Sequence, residues 1–210
     1  MTRPWRLKEM TPADARDRLR QTGRLILPAG TLELRGAHLP LGCDTLILER
    51  LADDLSARTG VPRAPAIEFG VHAGGDESGP GAAALSRKTL HRVMNELIAA
   101  WEEGAGVREV IILTAHAADA HQEALSTIRA VGEVRVVDIF GFDFSGLLEH
   151  PDDRLHGGEL DTSLMLFLHP ELLQDAAAIA RVHATADQGR RLHDFILARI
   201  TETCFGSAMA

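Results

Sequence analysis

The sequence contains no tyrosine, and aromatic residues make up only 4% of it. Few side chains are therefore on hand to stack bases or sugars. Cysteine is almost as scarce: Cys43 and Cys204 lie far apart and neither belongs to a CxxC pair, so neither a disulfide framework nor a cysteine zinc module can be read from them. Two free thiols are expected. No stretch of eighteen uncharged apolar residues occurs, and the opening "MTRPWRLKEM" has no apolar run of the kind a secretory leader needs. A cytoplasmic protein with no membrane span is the expectation. Clustered positive charge is also missing: 22 Lys and Arg stand against 30 Asp and Glu, for a formal charge of −8. Since phosphate backbones and anionic bilayers are bound through basic patches, nucleic acid and membrane are excluded as the main partners.

What is present is an ordinary globular composition, 45% hydrophobic and 25% charged over 210 residues. That length suits a single domain spanning 1–210 that buries roughly 70% of its unfolded surface. Strand-like and helix-like stretches alternate along it. Thr11, Pro12 and Asp14 make a good helix start, with the helix running to about residue 20. "RLILPAG" (24–30) and "VREVIILTAH" (107–116) read as buried strands, and "EVRVVDIFGF" reads as a third. A weaker strand over 61–70 is demoted to an edge by its prolines. Helices are expected over 44–60, 86–104, "ADAHQEALSTIRAVG", "ELDTSLMLFLH" and "TADQGRRLHDFILARITETC". Such alternation implies an α/β fold, three-layer α/β/α with a mostly parallel central sheet.

Ligands in such folds bind at the carboxyl edge of the sheet. Glu33, His38 and Asp44 follow the first strand, His116 ends the strand "VREVIILTAH", and His156 and Glu159 follow the third. Taken singly, each has a structural reading: Asp44 opens a helix as an N-cap would, and Glu33 sits in a loop. Together they form a set of carboxylates and imidazoles suited to hydrolytic Zn²⁺ or Mn²⁺, and Asp44 is able to bridge two ions. Cys43 reads as a small buried thiol, and Ser163 lacks a nucleophile-elbow pattern. The glycine-rich stretch 70–86 lacks the lysine of a phosphate loop.

Three motifs, "LPAGTLELRGAHLPLGCDTLI", "ILTAHAADA" and "HGGELDTSLML", resemble in order and spacing the signatures of the creatininase family of metal-dependent amidohydrolases. The resemblance implies hydrolysis of a non-peptide or unusual C–N bond in a small-molecule substrate by a homo-oligomer, often a hexamer. It also implies a pair of divalent ions, zinc first with manganese or iron as alternatives. Glu33, Asp44 and His116 match the ligands of one ion, with Asp44 as the bridge, and Glu159 matches a residue that completes the second site. His156 matches a histidine near the substrate, a candidate to move a proton or polarise the carbonyl. Asp161 matches a residue that orients a histidine.

Two departures stand out. Arg35 occupies the place of a histidine ligand to the second ion, and a guanidinium has no lone pair to give a metal. "His-Ala-Ala-Asp" (116–119) replaces a glycine-rich stretch. The expectation is one or two ions per chain. In the reading preferred here, Arg35 supplies electrostatically what the second ion supplies elsewhere, with His156 or Glu159 moving the proton. His121 or His38 as a replacement ligand is an alternative. Another is a non-catalytic relative that serves as a binding or assembly subunit.

Overall fold

The alternation of strands and helices is realised in the computed structural model, which describes residues 3–73, 79–150 and 157–206. Strands β1 (Arg24–Pro28), β2 (Glu109–Thr114) and β3 (Glu133–Asp138) form a parallel sheet in the order β1-β2-β3. Arg24 pairs with Glu109, and Glu109 with Glu133. The proline-bearing stretch 61–67 touches β1 only at isolated bridges, Ile26 with Arg63 and Ala29 with Ile67. Pro62 and Pro65 lack the amide hydrogens a continuous ladder requires, which explains the partial pairing.

All six residues of β2 are buried. Because successive strand residues face opposite sides, Val110 and Ile112 enter one core while Ile111 and Leu113 enter the other. The first core holds Leu19 of α1 (Pro12–Thr22), Met94 and Ile98 of α3 (Arg87–Ala105) and Leu125 of α4 (Asp119–Ser126). The second holds Ile47 and Leu51 of α2 (Cys43–Thr59), Leu164 of α5 (Glu159–Leu168) and Leu192 and Ile196 of α7 (Ala186–Phe205). Helices thus cover both faces of the sheet, which is the three-layer α/β arrangement.

Helix ends follow local chemistry. The Thr11 hydroxyl accepts from the Asp14 amide, Ser86 caps α3 through Thr89, and Thr185 caps α7 through Gln188. Helix α4 stops at Ser126, short of the predicted end, just before the β-branched pair Thr127 and Ile128. A short α6 (Ala176–Arg181), capped by Asp175, is additional to the sequence reading. Among the described residues no helix is long and apolar enough to cross a membrane.

The carboxyl ends of the strands open into three connections: 29–42 from β1 to α2, 115–118 from β2 to α4, and 139–158 from β3 to α5. All three start from one edge of the sheet, where Glu33, Asp44 and His116 come together.

Candidate metal centre

The first connection is pressed against the start of α2. A Cβ on Gly30 would lie 2.3 Å from the Thr45 hydroxyl and 2.8 Å from its Cα, so only glycine permits the approach. This proximity puts the loop side chains over Asp44. The Thr31 hydroxyl donates to Asp44 Oδ2 at 2.9 Å. Asp44 does not cap α2: the N-cap is Gly42, with no side-chain cap. Its carboxylate turns instead to Arg35.

Arg35 is 4% exposed and reaches three acids. Its Nε lies 2.6 Å from Asp44 Oδ1 and 2.9 Å from Glu33 Oε1, Nη1 is 3.1 Å from Asp161 Oδ2, and Nη2 is 2.7 Å from Asp44 Oδ2. Nη2 also donates to the Ala115 carbonyl at 2.8 Å. Of the two approaches to Asp44, Nη2 to Oδ2 is a charge-assisted hydrogen bond and Nε to Oδ1 adds charge attraction. Burial works against the guanidinium charge, but Asp44, Asp161 and Glu33 outweigh it and keep Arg35 protonated.

His116 adds the third ligand type. Its Nε2 lies 2.9 Å from the Val71 carbonyl, which can only accept, so that nitrogen carries a hydrogen. Nδ1 therefore faces the cluster, 3.2 Å from Glu33 Oε2. A metal-binding histidine is usually held in this way, one nitrogen donating to a backbone carbonyl and the other aimed at the ion. Burial lowers the affinity of His116 for a second proton, yet the hydrogen bond and charge of Glu33 raise its pKa overall. Neighbouring His121 is committed elsewhere. Its Nδ1 accepts from the Val71 amide at 3.2 Å, so Nε2 bears the hydrogen facing the Thr114 hydroxyl at 3.1 Å. Burial, reinforced by His116, pushes its pKa down to about 4. His121 is thus a neutral brace on the Val71 segment.

Glu33, Asp44 and His116 offer ligand atoms that all lie within 4.8 Å of one another, and the three are buried. Burial, opposed by Arg35 and reinforced by Glu33 and Asp161, pushes the Asp44 carboxyl up to about 7. The charge count explains the strain. Among the described residues, fully ionised Glu33, Asp44 and Asp161 bring three negative charges against the one positive charge of Arg35, a surplus of two in a site shielded from water. A buried surplus of that size is costly unless a cation or protons answer it. One divalent ion beside a neutral His116 balances it, and the oxygen and imidazole donors suit Zn²⁺ or Mn²⁺. The residues present therefore fit one ion.

Other predicted residues are placed differently. Glu159 is buried but is not among the three convergent ligands. Its carboxylate accepts from the Glu149 amide at 3.0 Å through both oxygens, and from the His150 amide at 3.0 Å. Asp161, expected to orient a histidine, accepts from Arg35 and from the Gly157 amide at 3.0 Å. His38 Nε2 is paired with the Thr162 hydroxyl at 2.9 Å and is not among the three convergent ligands. His156 lies outside the described residues. Cys43 is fully buried, and burial raises its thiol pKa well above the ordinary value, which leaves it no thiolate to attack with. The bracing role of Val71 and His121 has no sequence signal; a carbonyl contact from a loop of this kind carries none.

Comparison with known proteins bears on family and fold. A family model described as "Creatininase: Creatinine amidohydrolase" matches residues 8–204. The chain is 27% identical over 171 residues to a creatinine amidohydrolase of Pseudomonas putida, covering 71% of this chain and 65% of that protein. It is 30% identical over 107 residues to a 3-dehydro-scyllo-inosose hydrolase of Thermotoga maritima, covering 51% of this chain and 34% of that protein. The matches thus span less than two thirds of either curated relative. Among solved structures, a mutant creatininase of Zn-Zn type superposes with a TM-score of 0.79 at 20% identity, over 94% of this chain and 96% of the other. That likeness establishes the shared fold.

Proposed function

The chain belongs to the creatininase family, and on that premise we propose that it is a hydrolase of a C–N bond in a small molecule, working with one divalent ion and one arginine. The observation that carries this reading is the surplus of two negative charges around Arg35, beside an imidazole whose Nδ1 faces the same carboxylates. The relatives' names, one an amidohydrolase and one an inosose hydrolase, agree in hydrolysis and in a small substrate. By family resemblance the working form is a cytoplasmic homo-oligomer, a hexamer, of single-domain chains spanning 1–210. The scarcity of aromatics makes creatinine itself a poor first choice of substrate.

In this mechanism Glu33, Asp44 and His116 would hold the ion, and a divalent ion there would supply Lewis acidity and lower the pKa of water toward ~7. The Val71 carbonyl fixes the tautomer of His116 and keeps Nδ1 turned inward. Asp161 and the Ala115 carbonyl hold Arg35 rigidly, so its charge is available to an oxyanion developing on the substrate without reorganisation. His156 carries the proton to the leaving nitrogen, a role assigned by its match to the family motif. Glu159 is bonded to the amides of Glu149 and His150 and holds the β3–α5 connection to α5.

The test is metal content by elemental mass spectrometry on untagged protein purified without chelator. Native protein should carry about one Zn, Mn or Fe per chain that is lost in His116→Ala, and Arg35→His should gain one more. If native protein holds no His116-dependent ion even after reloading, the hydrolase reading falls. The chain is then a non-catalytic family member that serves as a binding or assembly subunit.

A further inference from the structure

A second group of ligand-type side chains lies outside the buried centre. Glu149, His150 and His183 each present a ligand atom, and these atoms all lie within 4.8 Å of one another on the exposed surface. The rings of His150 and His183 are 4.9 Å apart between centroids and tilted by 56°. They come from different parts of the chain: Glu149 and His150 from the β3–α5 connection, His183 from the turn between α6 and α7.

Both halves are held in place. The carboxylate of Glu159, itself 1% exposed, accepts from the backbone amides of Glu149 and His150, which pins the two ligand-bearing residues to the first turn of α5. His183 adopts φ 55, in the left-handed region that non-glycine residues seldom enter. Two residues on, Thr185 starts α7, with its amide tied to Ser163 of α5 at 3.2 Å. Two solvent-exposed imidazoles gain little from each other by burial alone, and an ion shared with the carboxylate would hold the three together.

We propose that Glu149, His150 and His183 form a surface site for a divalent transition metal, separate from the buried centre and independent of the hydrolase reading. Two imidazoles and one carboxylate select Zn²⁺, Co²⁺, Ni²⁺ or Cu²⁺ over Mg²⁺ and Ca²⁺, which prefer all-oxygen shells. Three protein ligands leave coordination positions open to water or to a donor from another molecule. Occupied, the site clamps the β3–α5 connection to the α6–α7 turn. Helix α5 then serves both centres, with Asp161 on Arg35 and Glu159 behind the surface ligands.

The test is a Co²⁺ titration of the untagged, metal-free chain, followed by visible d–d absorption and by calorimetry. Native protein should bind a His183-dependent equivalent that His183→Ala and His150→Ala abolish and Glu149→Gln weakens at least tenfold. His116→Ala should retain it. All three surface variants should match the native melting temperature without metal, because their side chains are exposed. Should His183→Ala and His150→Ala bind Co²⁺ as the native chain does, or should His116→Ala alone remove every equivalent, the proposal is overturned. If His116→Ala fails to fold, the difference between native protein and His183→Ala decides.

Discussion

Two arginines, Arg35 and Arg63, are buried among the described residues, and their surroundings differ in kind. Arg63 donates to Asp53 at 2.8 Å and to Glu49 at 2.9 Å; Arg6 shares Asp53 at 2.6 Å, and Arg6 and Arg3 both meet Glu9. Three arginines thus face three carboxylates, and the acids keep contact with water: Asp53 is 13% and Glu49 31% exposed. Around Arg35 one cation faces three carboxylates, none more than 4% exposed. The network at Arg63 is complete in itself and ties the segment 61–67 to α2. That at Arg35 has a deficit of positive charge among the described residues, which protons or a bound cation answer. Buried arginine alone therefore says little about function; the uncompensated remainder says more.

The largest expected effect comes from removing the cation from the unbalanced network. Arg35→Ala takes from three buried carboxylates the cation they share and should cost about 3–5 kcal/mol in the metal-free protein by urea denaturation. Saturating Zn²⁺ or Mn²⁺ should recover part of that loss. Equal losses with and without metal would break the contrast between the two sites. Arg63→Met should cost less, about 1–2 kcal/mol, because Asp53 keeps Arg6 and Glu49 keeps solvent. Its metal stoichiometry should equal that of the native chain by elemental analysis.

Asp161→Asn removes one of the surplus charges while keeping the side-chain shape. Ion binding at the buried centre should weaken about tenfold, as changes behind first ligands commonly do, read by competition with a chromophoric chelator. The smallest effect concerns acid. Burial opposes the charge of Asp53, but hydrogen bonds from Arg6 and Arg63 lower its pKa overall. A carboxylate with a depressed folded pKa stabilises the fold above its unfolded value near ~4 and loses that contribution as pH falls through the folded value. Asp53→Asn should flatten the stability profile in that acid window and leave its slope near pH 7 unchanged.

Much of this was legible in the sequence. The strands β1, β2 and β3 announced themselves as apolar runs, and Thr11 marked a helix start through its hydroxyl. The joint placement of Glu33, Asp44 and His116 after two strands was enough to bring them together, because a parallel sheet sends every such connection to one edge. Arg35 was recognised as the departure, but not its full set of partners. A side chain's direction after several loop residues depends on turns such as Gly36, at φ 127, and pattern does not encode that angle. Glu159 and Asp161 illustrate the limit. Both open α5, yet one turns toward the 149–150 amides and the other toward Arg35, and the two-residue spacing on a helix separates their faces by about half a turn. The surface cluster was invisible for a similar reason, since His183 reaches Glu149 and His150 only through a left-handed backbone at its own position.

The parallel pairing of β2 with both neighbours bears on how the chain folds. β2 closes a short loop to reach β3, residue 109 to residue 133, but β1 must wait for residue 24 to meet residue 109 across α2 and α3. Loop closure entropy and contact order therefore favour the β2–α4–β3 unit as the earlier event and the docking of β1 as the later one. Glu33 and Asp44 arrive with β1, while His116 already stands at the end of β2. Ligands that meet only after the rate-limiting step lend their energy to the native state alone. A bound ion is accordingly expected to slow unfolding while leaving the folding rate constant unchanged, and stopped-flow arms measured with and without Zn²⁺ would show an accelerated folding arm instead if β1 docked first.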